Sequence, residues 1–158
     1  MNKVNKTGMH PWLRPMFCDP QKWLGDLETA LAGEAGAIQF YGYLESIAPS
    51  NEARKQVDFA RKDEIKHHRM FTQLYERLTG HCPPVVNPVV TRPTFADGVY
   101  MAFNDELDAA ELYKGMLLSV HNLAIRDMMF EIMTDEMEHA SRFSMIMAAG
   151  MAGKPAVS

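Results

Sequence analysis

Two short stretches hold the residues that could do chemistry: Asp63, Glu64, Ile65, Lys66, His67, and Asp135, Glu136, Met137, Glu138, His139. Residues three apart on a helix face the same way, so each Glu-x-x-His offers one carboxylate and one imidazole to a single point in space. One such pair arises easily by chance in a helix-rich chain. Its recurrence 72 positions later is a pattern, because the same displacement pairs Arg54 with Arg126 and Phe71 with Phe143. Carried backward, it pairs Glu34 with Glu106, Ala37 with Ala109 and Tyr41 with Tyr113. The chain reads as a duplicated helical hairpin, each copy supplying one Glu and then one Glu-x-x-His.

Hydrophobic periodicity supplies the elements that must position these groups. Residues 1–18 read as an irregular arm in which Trp12, Leu13, Met16 and Phe17 pack on the body. The first hairpin occupies 19–79. Its first helix follows the cap Asp19 and Pro20 and carries the stripe Leu24, Leu27, Leu31, Glu34, Ile38, Tyr41 to about Ile47. The second helix, Asn51 to Thr79 with a stop at Gly80, carries Val57, Ala60, Glu64, His67, Phe71, Leu74, Leu78. Residue 49, midway between Glu34 and Glu64, falls in the turn, so the two glutamates stand at one height.

Residues 80–93 contain Pro83, Pro84, Pro88 and Pro93, which predicts an extended segment. About thirteen residues at roughly 3.1–3.3 Å each reach ~40 Å, the length of a long helix. This crossover can therefore return the chain from one end of a bundle to the other. The second hairpin occupies 94–149. Its first helix runs from near Thr94 to about Val120 with Phe95, Val99, Phe103 or Ala102, Glu106, Ala110, Tyr113 and Leu117 inward. After the turn at His121 and Asn122, the last helix carries Ile125, Met129, Ile132, Glu136, His139, Phe143 and Ile146. The tail, 150–158, reads as loose. The expectation is a single all-α domain over 1–158, an antiparallel four-helix bundle.

The 158 residues suffice for one substantial core. A net charge of −4 without a basic run argues against nucleic acid as partner. No secretory leader and no apolar run long enough for a membrane are visible, and two isolated cysteines, Cys18 and Cys82, fit a reducing compartment. A cytoplasmic location is the expectation.

Four glutamates and two histidines on core-facing stripes pose an electrostatic problem, since each buried carboxylate costs several kcal/mol unless compensated. Two divalent cations carry +4, and a carboxylate–imidazole donor set suits Fe or Mn better than structural zinc. The order Glu34, Glu64-x-x-His67, Glu106, Glu136-x-x-His139 resembles the ferritin-like dinuclear carboxylate superfamily, over nearly the whole chain from Pro20 to about Ala149. Within it, Ala32, Gly33, Glu34 with Tyr41 seven residues on looks closest to rubrerythrin-type domains. The four-cysteine rubredoxin module is absent, Ala109 stands where rubrerythrins have an additional glutamate, and the fifth helix of storage ferritins is missing. The resemblance implies that Glu64 and Glu136 bridge two metals, with Glu34 and Glu106 terminal and His67 and His139 binding one metal each. It also implies that Asp63 and Asp135 orient the histidines from behind. Tyr41 and Tyr113 would either line the cavity and serve catalysis or act as core aromatics.

The expected cofactor is two Fe ions, with two Mn ions or a mixed Fe/Mn pair as alternatives. The leading expectation is oxidoreductase chemistry on O2 or H2O2 of the ferroxidase or peroxidase kind, with an external electron donor. Peroxide disproportionation of the manganese-catalase kind and non-catalytic iron handling are the alternatives. Outer helix faces leave room for a homodimer.

Overall fold

The computed structural model of the protein describes residues 15–150. The positions of Trp12 and Leu13, and the tail beyond Gly150, lie outside the described residues. Four helices make the fold: α1 (Pro20–Ile47), α2 (Asn51–Thr79), α3 (Phe95–Leu118) and α4 (Leu123–Ala148). Each starts where a side chain satisfies the first free backbone N–H groups. Asp19 accepts from the N–H groups of Gln21 and Lys22, Ser50 from Ala53, Thr94 from Asp97, and Asn122 from Ile125. Gly80, at φ 77°, ends α2 in the left-handed conformation that favours glycine.

α1 packs with α2 and α3 with α4, and the hairpins meet through α1 against α3 and α2 against α4. The contacts between hairpins give their direction. Tyr41 on α1 bonds to Glu106 on α3, and Tyr113 bonds to Glu34. Seven residues up one helix thus corresponds to seven down the other, and α1 and α3 are antiparallel. Residues 80–94 make this possible by returning the chain along the bundle. The returning segment is tied to α1, where the Tyr43 hydroxyl donates to the Pro93 carbonyl at 2.7 Å. Gly98 permits α3 to close on α1, since a Cβ there would run into Leu44 Cδ2 and crowd Pro93 Cγ. This is the ferritin-like four-helix architecture.

α3 ends two residues earlier than its periodicity predicts, because the turn is engaged elsewhere. Phe17 and Val120 form an isolated bridge, the Cys18 N–H donates to Ser119 O, and the His121 N–H donates to Met16 O. Phe17 is buried against Trp23 there. On the α3 stripe, Ala102 is buried and Phe103 half-buried, and Met116 takes the buried place expected for Leu117.

The core divides into two apolar clusters. One contains Trp23, Leu27, Leu31, Phe71, Leu74, Met116, Met129 and Ile132; the other contains Phe40, Leu44, Val57, Val99, Phe143 and Ile146. The charged residues lie in the layer between them. Among the described residues, no helix is long and apolar enough to cross a membrane.

Candidate metal centre

All six inward residues of the two repeats come together in that layer. Glu34, Glu64, His67, Glu106, Glu136 and His139 are each at most 3% exposed. They form two overlapping groups: Glu34, Glu64, His67, Glu136, and Glu64, Glu106, Glu136, His139. Within each group one donor atom per residue lies within 4.8 Å of the others. Glu64 and Glu136 belong to both.

The donor atoms converge on shared points more than they bond to one another. His67 Nδ1 stands 3.1 Å from Glu136 Oε1, 3.7 Å from Glu64 Oε2 and 3.8 Å from Glu34 Oε2. His139 Nδ1 stands 3.0 Å from Glu64 Oε1, 3.2 Å from Glu136 Oε2 and 3.5 Å from Glu106 Oε1. Despite this proximity, Glu34 Oε2, Glu64 Oε1, His67 Nδ1 and Glu136 Oε1 are buried with no hydrogen bond of acceptable geometry. Among the described residues only Thr72 Oγ1 shares that condition, and buried polar atoms are otherwise nearly always satisfied. Orphaned lone pairs gathered at two foci are what a pair of cations would complete.

Behind each imidazole stands an aspartate from the opposite hairpin. His67 Nε2 lies 3.1 Å from Asp135 Oδ2, and His139 Nε2 lies 3.2 Å from Asp63 Oδ2. A carboxylate only accepts, so Nε2 carries the donated hydrogen and Nδ1 is the nitrogen turned to the cluster. The tyrosines also cross over. The Tyr41 hydroxyl donates to Glu106 Oε1 at 2.6 Å, and the Tyr113 hydroxyl donates to Glu34 Oε1. Helical side chains lean toward their own N-termini, so on the antiparallel α1 and α3 each hydroxyl and the facing carboxylate lean toward one another.

The electrostatics are self-consistent. Burial, reinforced by the neighbouring carboxylates, raises Glu34 and Glu106 well above the ordinary glutamate range. Burial pushes Glu64 upward too, but the adjacent Glu34, His139 and His67 outweigh it and hold Glu64 low. Glu136 is likewise held low by His139 and His67 against its burial. Burial disfavours the charged form of His67, yet Glu136 and Glu64 hold it up to about 10, and His139 is raised in the same manner. The shifts run in compensating directions: both imidazoles are pushed toward their charged form, Glu64 and Glu136 toward the carboxylate, and Glu34 and Glu106 toward the neutral acid. Burial and the adjacent glutamates also push Tyr41 and Tyr113 well above the usual phenol range, so both stay protonated donors.

A cavity of about 300 Å³ opens onto this layer between α1 and α3, beneath Val89, Val90 and Thr91 of the crossover. Its floor is Glu34, Glu64, Glu106 and Glu136 with Tyr41 and Tyr113, while the histidines stand on the α2–α4 side. The remaining histidines of the described residues, His68, His81 and His121, lie outside the cluster. Glu111 is exposed and paired with Lys114, away from the site.

Three features around the site escaped the periodicity: the crossover lid over the cavity, Asp105 on its rim, and Lys66. The Lys66 ammonium lies 3.3 Å from Asp135 and 2.6 Å from Glu131. Its repeat counterpart is Glu138, and that mismatch was the available signal.

No protein-family model matches the chain. It is 34% identical over 135 residues to uncharacterized protein YhjR of Bacillus subtilis, covering 85% of this chain and 92% of that protein. Among solved structures it resembles a bacterioferritin of Desulfovibrio desulfuricans studied for the catalytic states of its diiron site. That likeness has a TM-score of 0.68 at 20% identity and covers 86% of this chain and 90% of the bacterioferritin. A hypothetical protein from Pyrococcus furiosus matches with a TM-score of 0.69 at 19% identity, over 82% of this chain and 89% of that one. These likenesses show the ferritin-like fold.

Proposed function

The chain belongs to the family of the Bacillus subtilis protein YhjR, and from that premise and the buried cluster we propose that it is a dinuclear non-haem metalloprotein, with Fe favoured over Mn. The observation that carries this reading is that Glu64 and Glu136 are common to both donor groups. Glu34 and His67 would complete one site, Glu106 and His139 the other. Bound there, two redox-active ions would supply electrons in pairs to O2 or H2O2, as a ferroxidase- or peroxidase-like protein requires. The likeness to a bacterioferritin with a diiron site supports the choice of chemistry.

The chain's own residues have separable parts in this proposal. Asp63 and Asp135 hold each histidine with Nδ1 turned inward, fixing tautomer and ring plane. Tyr41 and Tyr113 steady the terminal carboxylates by donating one hydrogen bond to each. The cavity between α1 and α3 gives a small substrate a way to the carboxylate face, while the two apolar clusters keep bulk water from the ends of the layer. Rigid helical mounting of every ligand preserves the arrangement.

Elemental analysis of protein purified without added metal tests the reading, beside a Glu64→Ala, His139→Ala double variant. About two Fe per chain, lost in the variant, is the expected result. Two Mn would move the chemistry to peroxide disproportionation. Absence of metal even after anaerobic loading with Fe(II) or Mn(II) would overturn it.

A further inference from the structure

The duplication provides an internal control for which surface residues the fold requires. On α4, Leu123, Phe130 and Met137 recur every seven residues and lie opposite the buried stripe, at 72%, 57% and 54% exposure. Beside them on α3, Tyr100 and Leu107 are spaced by seven, the exposed Glu111–Lys114 pair follows, and Leu118 ends the helix at 66% exposure. Apolar residues spaced by seven make a nearly straight seam on a helix, the spacing by which one helix packs on another. The equivalent positions of the first hairpin are Asn51, Asp58 and Ile65 on α2, with Ser46, Glu28 and Ala35 on α1. Four of these six are polar, and that hairpin folds in the same way. The apolar character of the second outer face is therefore not needed for folding.

We propose that this face of α3 and α4 is the docking surface for a second copy of this chain. Residue surfaces of roughly 150–250 Å² at the observed exposures leave on the order of 650 Å² of apolar-residue surface on this face, with the Glu111–Lys114 pair among it. A standard stable interface takes about 800 Å² from each partner, so the patch with its polar rim is the right size for a pair. Two identical faces meeting across a two-fold axis bury the same residues on both sides and leave no second patch to propagate a chain of contacts. The proposal rests on the surface alone and is independent of the metal reading.

The test is sedimentation velocity on the full chain across concentrations, beside Leu118→Ser, Leu123→Asn, Phe130→Asp, which installs the first hairpin's residues at the matching positions. The wild type is expected at twice the chain mass. In the variant each substitution acts on both sides of the two-fold, so self-association should weaken by about a hundredfold or more. The variant's helical circular dichroism and metal content should match the wild type. Phe130→Asp alone serves if the triple variant does not fold, with a smaller shift in the same direction. A wild type that stays monomeric to ~100 µM, well above the Kd of a standard-size interface, would overturn the proposal. So would a dimer that neither variant weakens.

Discussion

In the interior, the two hairpins are interchangeable. Tyr41 meets Glu106 as Tyr113 meets Glu34, Asp63 meets His139 as Asp135 meets His67, and the Tyr41–Phe143 ring contact at 5.3 Å repeats as Phe71–Tyr113 at 5.4 Å. One layer further out the equivalence ends. On the His67 side, Lys66 is salt-bridged directly to Asp135 and Glu131. On the His139 side, the matching positions hold Glu138 and Phe59, with Arg142 standing where the first hairpin has Met70. The Arg142 guanidinium lies 3.5 Å over the Phe59 ring and pairs with Glu138, while the edge-on Phe59 ring sits 6.3 Å from His139. A cation thus touches the aspartate behind one histidine, whereas the cation near the other is held on an aromatic face. The lesson is that the donor set demands two-fold symmetry, and its surroundings are free to make the two half-sites unequal.

The most severe way to break the symmetry is through the residues both halves share. Glu64→Ala and Glu136→Ala should each release both ions, taking metal content from about two per chain to near zero. Loss of a single ion from either variant would show that the carboxylate removed is not common to both sites. His67→Ala and His139→Ala should each remove about one ion, because each imidazole faces one group only. Parallel elemental analysis checks all four variants.

Smaller effects are expected from the crossed tyrosines. Tyr41→Phe and Tyr113→Phe each leave a buried glutamate oxygen without its donor, at a cost of about 1–3 kcal/mol. Urea unfolding of chelator-treated protein should find the two costs similar, since both bonds are buried and symmetric. A difference above ~1 kcal/mol would place the asymmetry inside the donor layer rather than outside it. The smallest expected effect belongs to Lys66→Met. The ammonium is partly exposed, so its ion pairs are worth at most about 1 kcal/mol, or less than tenfold in affinity. Its removal leaves more negative charge behind His67, and the ion on that side should bind up to several-fold tighter. Stepwise Co(II) titration in the wild type and in Lys66→Met checks this, with His67→Ala identifying which step belongs to which side.

Much of the centre was legible before any coordinates. Alternating steps of three and four placed Glu34, Glu64, His67, Glu106, Glu136 and His139 on buried stripes. Short turns near residues 49 and 121 put the glutamates of each hairpin at one height. Periodicity carries α3 on to Val120, which is apolar and in phase with the helix, yet Val120 is held by Phe17, a residue 103 positions away in sequence.

By itself, the sequence determined the helices, the inward faces and the repeat, because periodicity, caps and turn lengths are local properties of the chain. Only the tertiary structure decided which aspartate stands behind which histidine, which glutamate each tyrosine reaches, and that the crossover roofs a cavity over the carboxylates. Those facts depend on the register between hairpins. A proline-rich crossover limits how far the chain can travel, but the register itself is set by the packing of Leu44, Gly98 and the rest of the two apolar clusters.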